Sequence, residues 1–239
     1  MYGSIESANI VGYTNAELQQ YGLTAGAAFT PVSGKAFDLN DLSVTGYDKE
    51  DGSEGDVYIQ TLDEYGRTVA TYFWIDVVDG EDVLHGWLDG NDDPVEPGAV
   101  TFQAGEGLWV FCQDESFGLQ SAGQVPQSDV SVNLQQYGLS VANPTPVTVD
   151  LNACTITGYD PEDGSEGDVY VQTLDEYGRT VATYFWIDVV DGEDVLLGWL
   201  DGNDEPIDDG TVTIAAGAGI WSFCQDDGFS FVWPKVDIK

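Results

Sequence analysis

Carboxylates are the groups in this sequence that are numerous enough to do chemistry. The 239 residues include 43 Asp and Glu, six Lys and Arg, and one histidine, His85. Paired carboxylates serve as acid and base in glycoside hydrolysis, but among so many acids some pair lies at any chosen spacing. The sequence has no G-x-S-x-G motif and no phosphate-binding glycine-rich loop. We therefore predict that this protein is not an enzyme.

Acidic turns can also bind calcium, because Ca2+ is held by several carboxylate and carbonyl oxygens on flexible turns. Residues 89–93 place oxygen-bearing side chains at alternate positions, and residues 201–205 repeat the pattern. Pro94 and Pro206 stand where an EF-hand loop needs glycine, so neither turn is an EF-hand. The turns are interpreted either as solvated acidic turns or as calcium sites, and no other cofactor is predicted. The candidate ligands are Asp89, Asn91, Asp93, Asp201, Asn203 and Glu205.

An internal duplication makes these two turns equivalent. Residues 51–94 and 163–206 match at an offset of 112 and differ at three positions, Ile59/Val171, His85/Leu197 and Asp93/Glu205. A period of this length indicates two copies of a whole domain. We predict two modules, residues 1–125 and 126–239. Since His85 is a leucine in the second copy, no site shared by the modules depends on it.

Turn dipeptides divide each copy into short strands. Asp51-Gly52, Asp79-Gly80 and Asp89-Gly90 separate runs rich in β-branched and aromatic residues, which is a hairpin pattern. No segment of helix length shows a helical periodicity. The sequence therefore predicts an all-β chain of two tandem β-sandwich or β-barrel modules, with a linker around residues 118–129.

The longest β-rich run, residues 68–78, has apolar side chains on both faces. One face is predicted to line the core; it carries Val69, Thr71, Phe73, Ile75 and Val77. The opposite face is either covered by another strand layer or exposed as a platform on which a sugar could stack. The platform residues, with their copies, are Tyr72, Trp74, Tyr184 and Trp186. The tryptophans predicted to lie in the cores are Trp87, Trp109, Trp199 and Trp221.

The three cysteines predict one disulfide. Cys112 and Cys224 occupy equivalent positions, whereas Cys154 aligns with Leu42. If Leu42 packs near Cys112, then Cys154 lies near Cys224. We therefore predict a Cys154–Cys224 disulfide in an oxidising environment. The alternative is that all three are small buried side chains.

The net charge of −37 excludes two classes of partner. Nucleic-acid binding needs basic groups that displace counterions, and an acidic surface is repelled by anionic lipids. No apolar run is long enough for membrane insertion. Self-repulsion at this charge destabilises the compact form unless salt, divalent cations or acidity screen it. This favours an extracellular or cell-surface location. A halophile's cytoplasm is the alternative that fits the same charge.

Three short motifs carry a resemblance to known proteins. They are Ser7-Ala8-Asn9-Ile10-Val11-Gly12-Tyr13, Gly86-Trp87-Leu88-Asp89 and Gly105-Glu106-Gly107-Leu108-Trp109-Val110. In this order they resemble a family of exported bacterial β-rich surface proteins, which begin with SANIVGY and end near G-x-G-F/L-W-V. The resemblance covers most of copy one and the second half of copy two, which lacks the opening motif. It implies export and a surface role, and it brings no catalytic residues.

The function that we expect is that of an extracellular structural subunit of a cell-surface filament or layer. A pseudo-symmetric doublet offers related surfaces at both ends for contact with further copies of itself. The N-terminal stretch has no evident counterpart in copy two, and it is either a strand of its own module or a strand donated to a neighbour. The residues of this predicted assembly strand are Ile5, Ser7, Asn9 and Val11. The alternative is a carbohydrate- or calcium-dependent binding module at the cell surface, with a glycan as its partner.

Overall fold

The protein is all-β, as predicted. A computed structural model describes residues 11–18, 23–25, 36–48, 52–63, 65, 67–79, 82–113, 117–134, 139–160, 164–175, 179–191, 194–225 and 228–236. The helical segments among these residues are two 3-10 turns, Leu39–Asp41 and Leu151–Ala153. No helix in the described part of the chain has the length and apolar character needed to cross a membrane.

Ten strands are described in each half of the chain. In module one they are β1 (Val11–Glu17), β2 (Leu23–Ala25), β3 (Phe37–Asp38), β4 (Ser43–Thr45), β5 (Ser53–Leu62), β6 (Thr68–Asp79), β7 (Asp82–Leu88), β8 (Thr101–Phe102), β9 (Leu108–Cys112) and β10 (Gly118–Gln124). In module two they are β11 (Val130–Asn133), β12 (Leu139–Ala142), β13 (Val149–Asp150), β14 (Thr155–Thr157), β15 (Ser165–Leu174), β16 (Thr180–Asp191), β17 (Asp194–Leu200), β18 (Thr213–Ile214), β19 (Gly219–Cys224) and β20 (Ser230–Trp233).

The two modules share one topology. Each has a five-stranded antiparallel sheet, in the order β2-β9-β5-β6-β7 or β12-β19-β15-β16-β17. Each also has a three-stranded sheet, β1-β10-β4 or β11-β20-β14, and a short two-stranded pair. Buried side chains from the five-stranded and the three-stranded sheets form one core cluster per module. Each module is therefore sandwich-like, with its core between the sheets.

Glycine is required where the turn before β5 passes close to β6. Gly52 has a φ of 78°, and a Cβ at this position would collide with the carbonyl oxygen of Asp76. Only glycine adopts this left-handed conformation without strain and leaves room for the carbonyl group. Gly164 repeats the arrangement against Asp188. The Asp-Gly dipeptide that predicted the turn therefore fixes where the longest hairpin begins.

The predicted orientation of β6 is wrong. Trp74 is 3% exposed and Tyr72 packs against the core, whereas Val69 is 67% exposed on the opposite face. The reason lies in the register with β7, where Trp74 is directly opposite Trp87 and both indoles point inward. Burying two indoles removes more apolar surface from water than burying the smaller side chains would. The face that was predicted to line the core points outward: Val69, Thr71, Phe73, Ile75 and Val77.

The N-terminal strand does have a counterpart in module two. β1 pairs with β10 from Val11–Gln124 to Glu17–Gly118, and β11 pairs with β20 in the same way. Val11 therefore belongs to the sheet of its own module, and the other predicted assembly residues, Ile5, Ser7 and Asn9, lie outside the described residues. The predicted linker is also wrong at its start, since residues 118–124 form β10. The sequence hid both features because strand pairing uses main-chain groups and needs no matching side chains.

The modules contact one another through β2, β9, β12 and β19. The main-chain N–H of Ala142 in module two donates to the carbonyl oxygen of Gly105 in module one, at 2.8 Å. Gly105 has a φ of 86°, and a Cβ there would lie 2.6 Å from the Cγ2 atom of Val132. Glycine is thus needed for the close approach of the two modules. Because β2 lies beside β12, the two five-stranded sheets are neighbours.

Candidate functional site

The first candidate surface is a pair of sheet edges. In each five-stranded sheet, β2 or β12 is one edge strand and β7 or β17 is the other. Since β2 lies beside β12 at the module contact, β7 and β17 are at opposite ends of the pair of sheets. We call β7 and β17 the outer edges. They are equivalent strands, so the molecule presents two closely similar edges.

Exposed leucines mark both outer edges. Leu84 on β7 is 44% exposed, and its equivalent on β17, Leu196, is 46% exposed. Leu197 is 64% exposed, where module one has His85. Near the end of each outer edge the following loop pairs with it, since the main-chain N–H groups of Val95 and Ile207 donate to the carbonyl oxygens of Trp87 and Trp199. Large apolar side chains on the rest of a sheet edge favour association with another chain. The outer edges thus combine main-chain hydrogen-bonding groups with apolar contact area.

The strand next to each outer edge is also open over part of its length. The pairing of β6 with β7 begins at Phe73–Leu88, so residues 68–72 pair with β5 alone within the described structure. A groove of about 960 Å3 lies between these residues and the loop of residues 89–100. In module two, the pairing of β16 with β17 begins at the equivalent pair, Phe185–Leu200. In each module the edge of the sheet is therefore formed by two strands in succession, first by the open part of β6 or β16 and then by β7 or β17.

The second candidate surface is a row of half-buried rings on the outward face of both five-stranded sheets. Tyr58 stacks on Phe111, with ring centroids 4.7 Å apart and an interplanar angle of 8°, and Tyr170 stacks on Phe223 at the same separation. Neighbouring centroids along the whole row are 4.7 to 5.9 Å apart. We call this row the aromatic strip; in spatial order it is Phe73, Tyr58, Phe111, Trp109, Trp221, Phe223, Tyr170 and Phe185.

The aromatic strip crosses from one module to the other at a cleft. Trp109 and Trp221 meet edge to face, with centroids 5.6 Å apart and planes at 81°. The cleft beside them has a volume of about 330 Å3. We call it the tryptophan cleft; its lining consists of four equivalent pairs, Gln60/Gln172, Leu62/Leu174, Thr68/Thr180 and Trp109/Trp221. The cleft is thus pseudo-symmetric, with the same side-chain types contributed by each module.

Trp109 and Trp221 were predicted to be core residues, and the structure corrects this, because both are half-buried on the outward face. Trp87 and Trp199 are core residues, as predicted, and both are 2% exposed. A repeat read as a single module does not reveal a contact between modules. The alternation along β5 could have indicated this second face of the sheet. Val57 and Ile59 are buried on one face of the strand, and Tyr58, Gln60 and Leu62 lie on the other.

The predicted aromatic platform is not present. Trp74 and Trp186 are each 3% exposed, and each indole packs edge to face against another buried indole. Tyr72 and Tyr184 pack at the margin of the cores. A sugar needs an accessible ring face to stack on, and these two tryptophans offer none. The alternative prediction, that this face of the strand is covered by another layer, is the one that the structure shows.

A polar cluster lies at the margin of each core, beneath the outer edge. The Tyr47 hydroxyl donates to Asp76, and the equivalent Tyr159 hydroxyl donates to Asp188 at 2.6 Å. Burial and then the hydrogen bond to Asp76 raise the pKa of Tyr47 to about 12, and burial likewise raises the pKa of Tyr159. In module one, His85 Nδ1 also lies 3.2 Å from Asp76. Because module two has the cluster without the histidine, the tyrosine–aspartate pair is a structural element of the fold.

The acidic turns are held by their own first carboxylate. Asp89 accepts hydrogen bonds from the main-chain N–H groups of Asn91 at 2.8 Å and Asp93 at 3.1 Å. Asp201 does the same for Asn203 and Glu205. These main-chain hydrogen bonds lower the pKa of both Asp89 and Asp201. The carboxylates of Asp89 and Asp201, two of the candidate calcium ligands, therefore close the turns.

A preformed metal site is not found in the part of the chain that the structure describes. There, no group of three or more His, Cys, Asp or Glu side chains is placed to hold a metal ion. Asp89 and Asp201 are committed to their turns, as described above, so a bound Ca2+ would have to compete with two main-chain N–H groups for each carboxylate. Calcium binding stays a prediction.

The predicted Cys154–Cys224 disulfide is not formed. No disulfide joins the three cysteines, which are all buried, and both Cys154 and Cys224 belong to the core of module two. The Cys154 thiol is directed at the carbonyl oxygen of Asp150, 3.8 Å away. Burial, with a smaller effect of the Asp150 carboxylate, raises the pKa of this thiol. A protonated, buried thiol is a poor partner for oxidation, so the structure agrees with the alternative of small buried side chains.

No protein family, no curated protein and no solved structure was found to match this chain.

Proposed function

We propose that this protein is a non-catalytic structural subunit that acts outside the cell and joins copies of itself end to end through its outer edges. The observation that carries the proposal is the placement of equivalent sheet edges at opposite ends of the molecule. An edge strand presents main-chain N–H and C=O groups with which another chain can pair. Contact between β7 of one copy and β17 of the next joins two different surfaces, and such a heterologous contact builds an open filament.

The exposed leucines supply the apolar part of the proposed contact. Leu84 and Leu196 stand at corresponding places on the two outer edges. Burial of such side chains between two copies is favourable by about 25 cal/mol per Å2 of apolar surface removed from water. The open segment of β6 and the groove beside it extend the same edge. Together these features give each end of the molecule an area for specific contact.

Charge sets the conditions under which the copies associate. Two bodies of net charge −37 repel each other, and salt shortens the range of this repulsion to about 10 Å at 0.1 M ionic strength. Association is therefore expected to strengthen with salt or with divalent cations. The same need for screening supports a location outside the cell, and the resemblance of the sequence motifs to exported surface proteins carries the same expectation.

The proposal is tested by placing a charge on each outer edge. Leu84→Lys and Leu196→Lys are expected to leave the fold intact and to remove polymers that the parent protein forms in salt, as seen by sedimentation and negative-stain electron microscopy. Val147→Lys is the matched control, because Val147 is an apolar residue 41% exposed in the loop between β12 and β13. Polymers that persist in both edge variants, or a parent protein that stays monomeric at every salt concentration, would contradict end-to-end assembly.

A further inference from the structure

We propose that the tryptophan cleft binds one segment of a neutral β-1,4-linked oligosaccharide per chain. This inference does not depend on the assembly proposed above, because the lining of the cleft contains no residue of β7 or β17. The volume of about 330 Å3 is at the lower end of the range for small-molecule sites, about 300 to 1,000 Å3. It accommodates a short segment of a chain whose ends extend into solvent.

The lining of the cleft selects an uncharged ligand. All eight lining residues are uncharged, although the chain carries 43 acidic residues. A site without cations, within a protein of net charge −37, repels acidic polysaccharides and phosphorylated ligands. A cationic ligand finds no carboxylate in the lining to pair with. The composition therefore points to a neutral molecule that has both apolar and hydroxyl surfaces.

The two indoles provide the apolar contact. Since the planes of Trp109 and Trp221 stand at 81° to each other, they form two differently oriented walls of the cleft. A pyranose ring has an apolar C–H face and a rim of hydroxyl groups, and its C–H face packs on an aromatic ring. In a β-1,4-linked chain with equatorial linkages, successive sugars are rotated about the chain axis, so that one short segment presents C–H faces in different directions. Such a segment can use both indoles at once.

The two glutamines provide oriented polar contacts. The Thr68 hydroxyl donates to Gln60 Oε1 at 3.2 Å, and Gln60 Nε2 donates to the Thr71 hydroxyl at 3.4 Å. An amide has two N–H donors and two acceptor lone pairs, so a donor and a lone pair of each amide remain for sugar hydroxyls. Gln172 makes the same two contacts with Thr180 and Thr183. Because the amides are held before a ligand arrives, little side-chain entropy is lost on binding.

Pseudo-symmetry sets the stoichiometry. Each module supplies half of the cleft, so neither module alone completes it. An oligosaccharide has a direction, whereas the cleft looks nearly the same from both ends, so the chain can bind in either direction but one at a time. The proposal thus predicts one ligand per chain, although the sequence is a duplicate. A site contained within each repeat would bind two.

Isothermal titration calorimetry with cellohexaose, mannohexaose and xylohexaose tests this inference, with oligogalacturonate as the anionic comparison. We expect at least one neutral hexaose to bind with a stoichiometry of one and oligogalacturonate to give no heat. Trp109→Ala and Trp221→Ala are each expected to weaken binding by about ten-fold or more, since each removes a central aromatic contact. His85→Leu is the matched control, because it alters an aromatic side chain at the outer edge to the residue that module two already has there.

A second pair of variants keeps the test informative if the tryptophan variants fold poorly. Gln60→Glu and Gln172→Glu preserve the size of the side chain at two half-buried positions and replace an amide donor by a carboxylate. Each is expected to reduce the affinity for the bound hexaose and to leave the circular dichroism spectrum unchanged. The inference would be overturned by absence of heat with all three neutral hexaoses, by two ligands per chain, by binding of oligogalacturonate alone, or by unchanged affinity in the glutamine variants.

Discussion

The two modules differ in sequence where their geometry is the same. The Trp87 indole N–H donates to the carbonyl oxygen of Leu42 at 2.9 Å, and the Trp199 indole N–H donates to the carbonyl oxygen of Cys154 at 2.9 Å. The change from leucine to cysteine leaves this bond intact because the acceptor is a main-chain atom. The comparison shows that the central tryptophan is fixed by the backbone around it, so the side chain at the acceptor position can change.

The two modules also differ at the outer edge, where one side-chain contact changes while the strand pairing stays the same. His85 in module one lies beside Asp76, whereas Leu197 in module two is an exposed apolar residue at the equivalent place. The tyrosine–aspartate pair beneath is present in both. The two ends of the molecule are therefore similar but not identical. A contact between β7 of one copy and β17 of the next therefore joins two similar but distinct surfaces, which makes it a heterologous contact.

The largest effect is expected from removing the central tryptophans. Trp87→Ala and Trp199→Ala each delete a fully buried indole and its hydrogen bond, so each is expected to lower the free energy of unfolding of its module by about 3 to 5 kcal/mol. Denaturant unfolding followed by tryptophan fluorescence measures the loss. Leu197→His, which copies module one, is the mild control. If the two tryptophan variants lost strongly unequal amounts of unfolding free energy, the two cores would not be energetically equivalent.

An intermediate effect is expected at alkaline pH. A tyrosine in the unfolded chain loses its proton near its ordinary pKa of 10.0, whereas folded Tyr47 keeps its proton until its pKa of about 12. The unfolded state therefore binds fewer protons in this interval, so the free energy of unfolding falls as pH rises from 10.0 to about 12. The stability that Tyr47 contributes is fully present below pH 10.0 and is lost as the pH rises through about 12.

Tyr47→Phe and Tyr159→Phe separate this contribution from that of the other tyrosines, since the whole chain has 12 tyrosines. Each substitution is expected to make the alkaline loss of stability smaller than in the parent protein, since the pKa of both hydroxyls is raised. Denaturant unfolding at a series of alkaline pH values measures the difference. A parent and a Tyr47→Phe variant whose stabilities fall in parallel would show that burial and the hydrogen bond to Asp76 do not raise the pKa of Tyr47.

The smallest effect is expected at the caps of the two 3-10 turns. Asp38 caps the first turn, and its main-chain N–H bonds the carboxylate of Asp41, which completes a capping box. Asp150 caps the second turn, where Ala153 stands in place of Asp41 and no such box forms. Asp41→Ala gives module one the cap of module two and is expected to cost about 1 kcal/mol or less. A larger loss, by thermal unfolding, would mean that Asp41 has a further role.

Much of the fold could be predicted from the sequence because local signals were strong. The Asp-Gly dipeptides placed the turns, the β-branched and aromatic runs placed β5 to β7 and their copies, and the duplication predicted that both halves share one architecture. The orientation of β6 could not be predicted, since both of its faces are apolar and the choice depends on Trp87 in the neighbouring strand. β1 and β11 could not be matched, because their shared role lies in main-chain pairing.

The candidate surfaces were harder to predict than the fold. The tryptophan cleft depends on two modules meeting, and nothing in one repeat specifies that Trp109 will lie against Trp221. The outer edges depend on which strands end up last in each sheet, which is a property of the topology. A signal was present in retrospect: Gln60, Thr68 and their copies are polar positions that both repeats keep unchanged.

Directed cross-linking across the outer edges tests end-to-end assembly most directly. Leu84→Cys and Leu196→Cys proteins, carrying tags of different size, would be mixed in salt and oxidised; the three native cysteines are buried. We predict a mixed disulfide between the two variants, with little cross-linking of either variant to itself. Val147→Cys mixed with either variant is the background. Cross-linking of the mixed pair at the background level, or of Leu84→Cys mainly to itself, would contradict joining of β7 to β17.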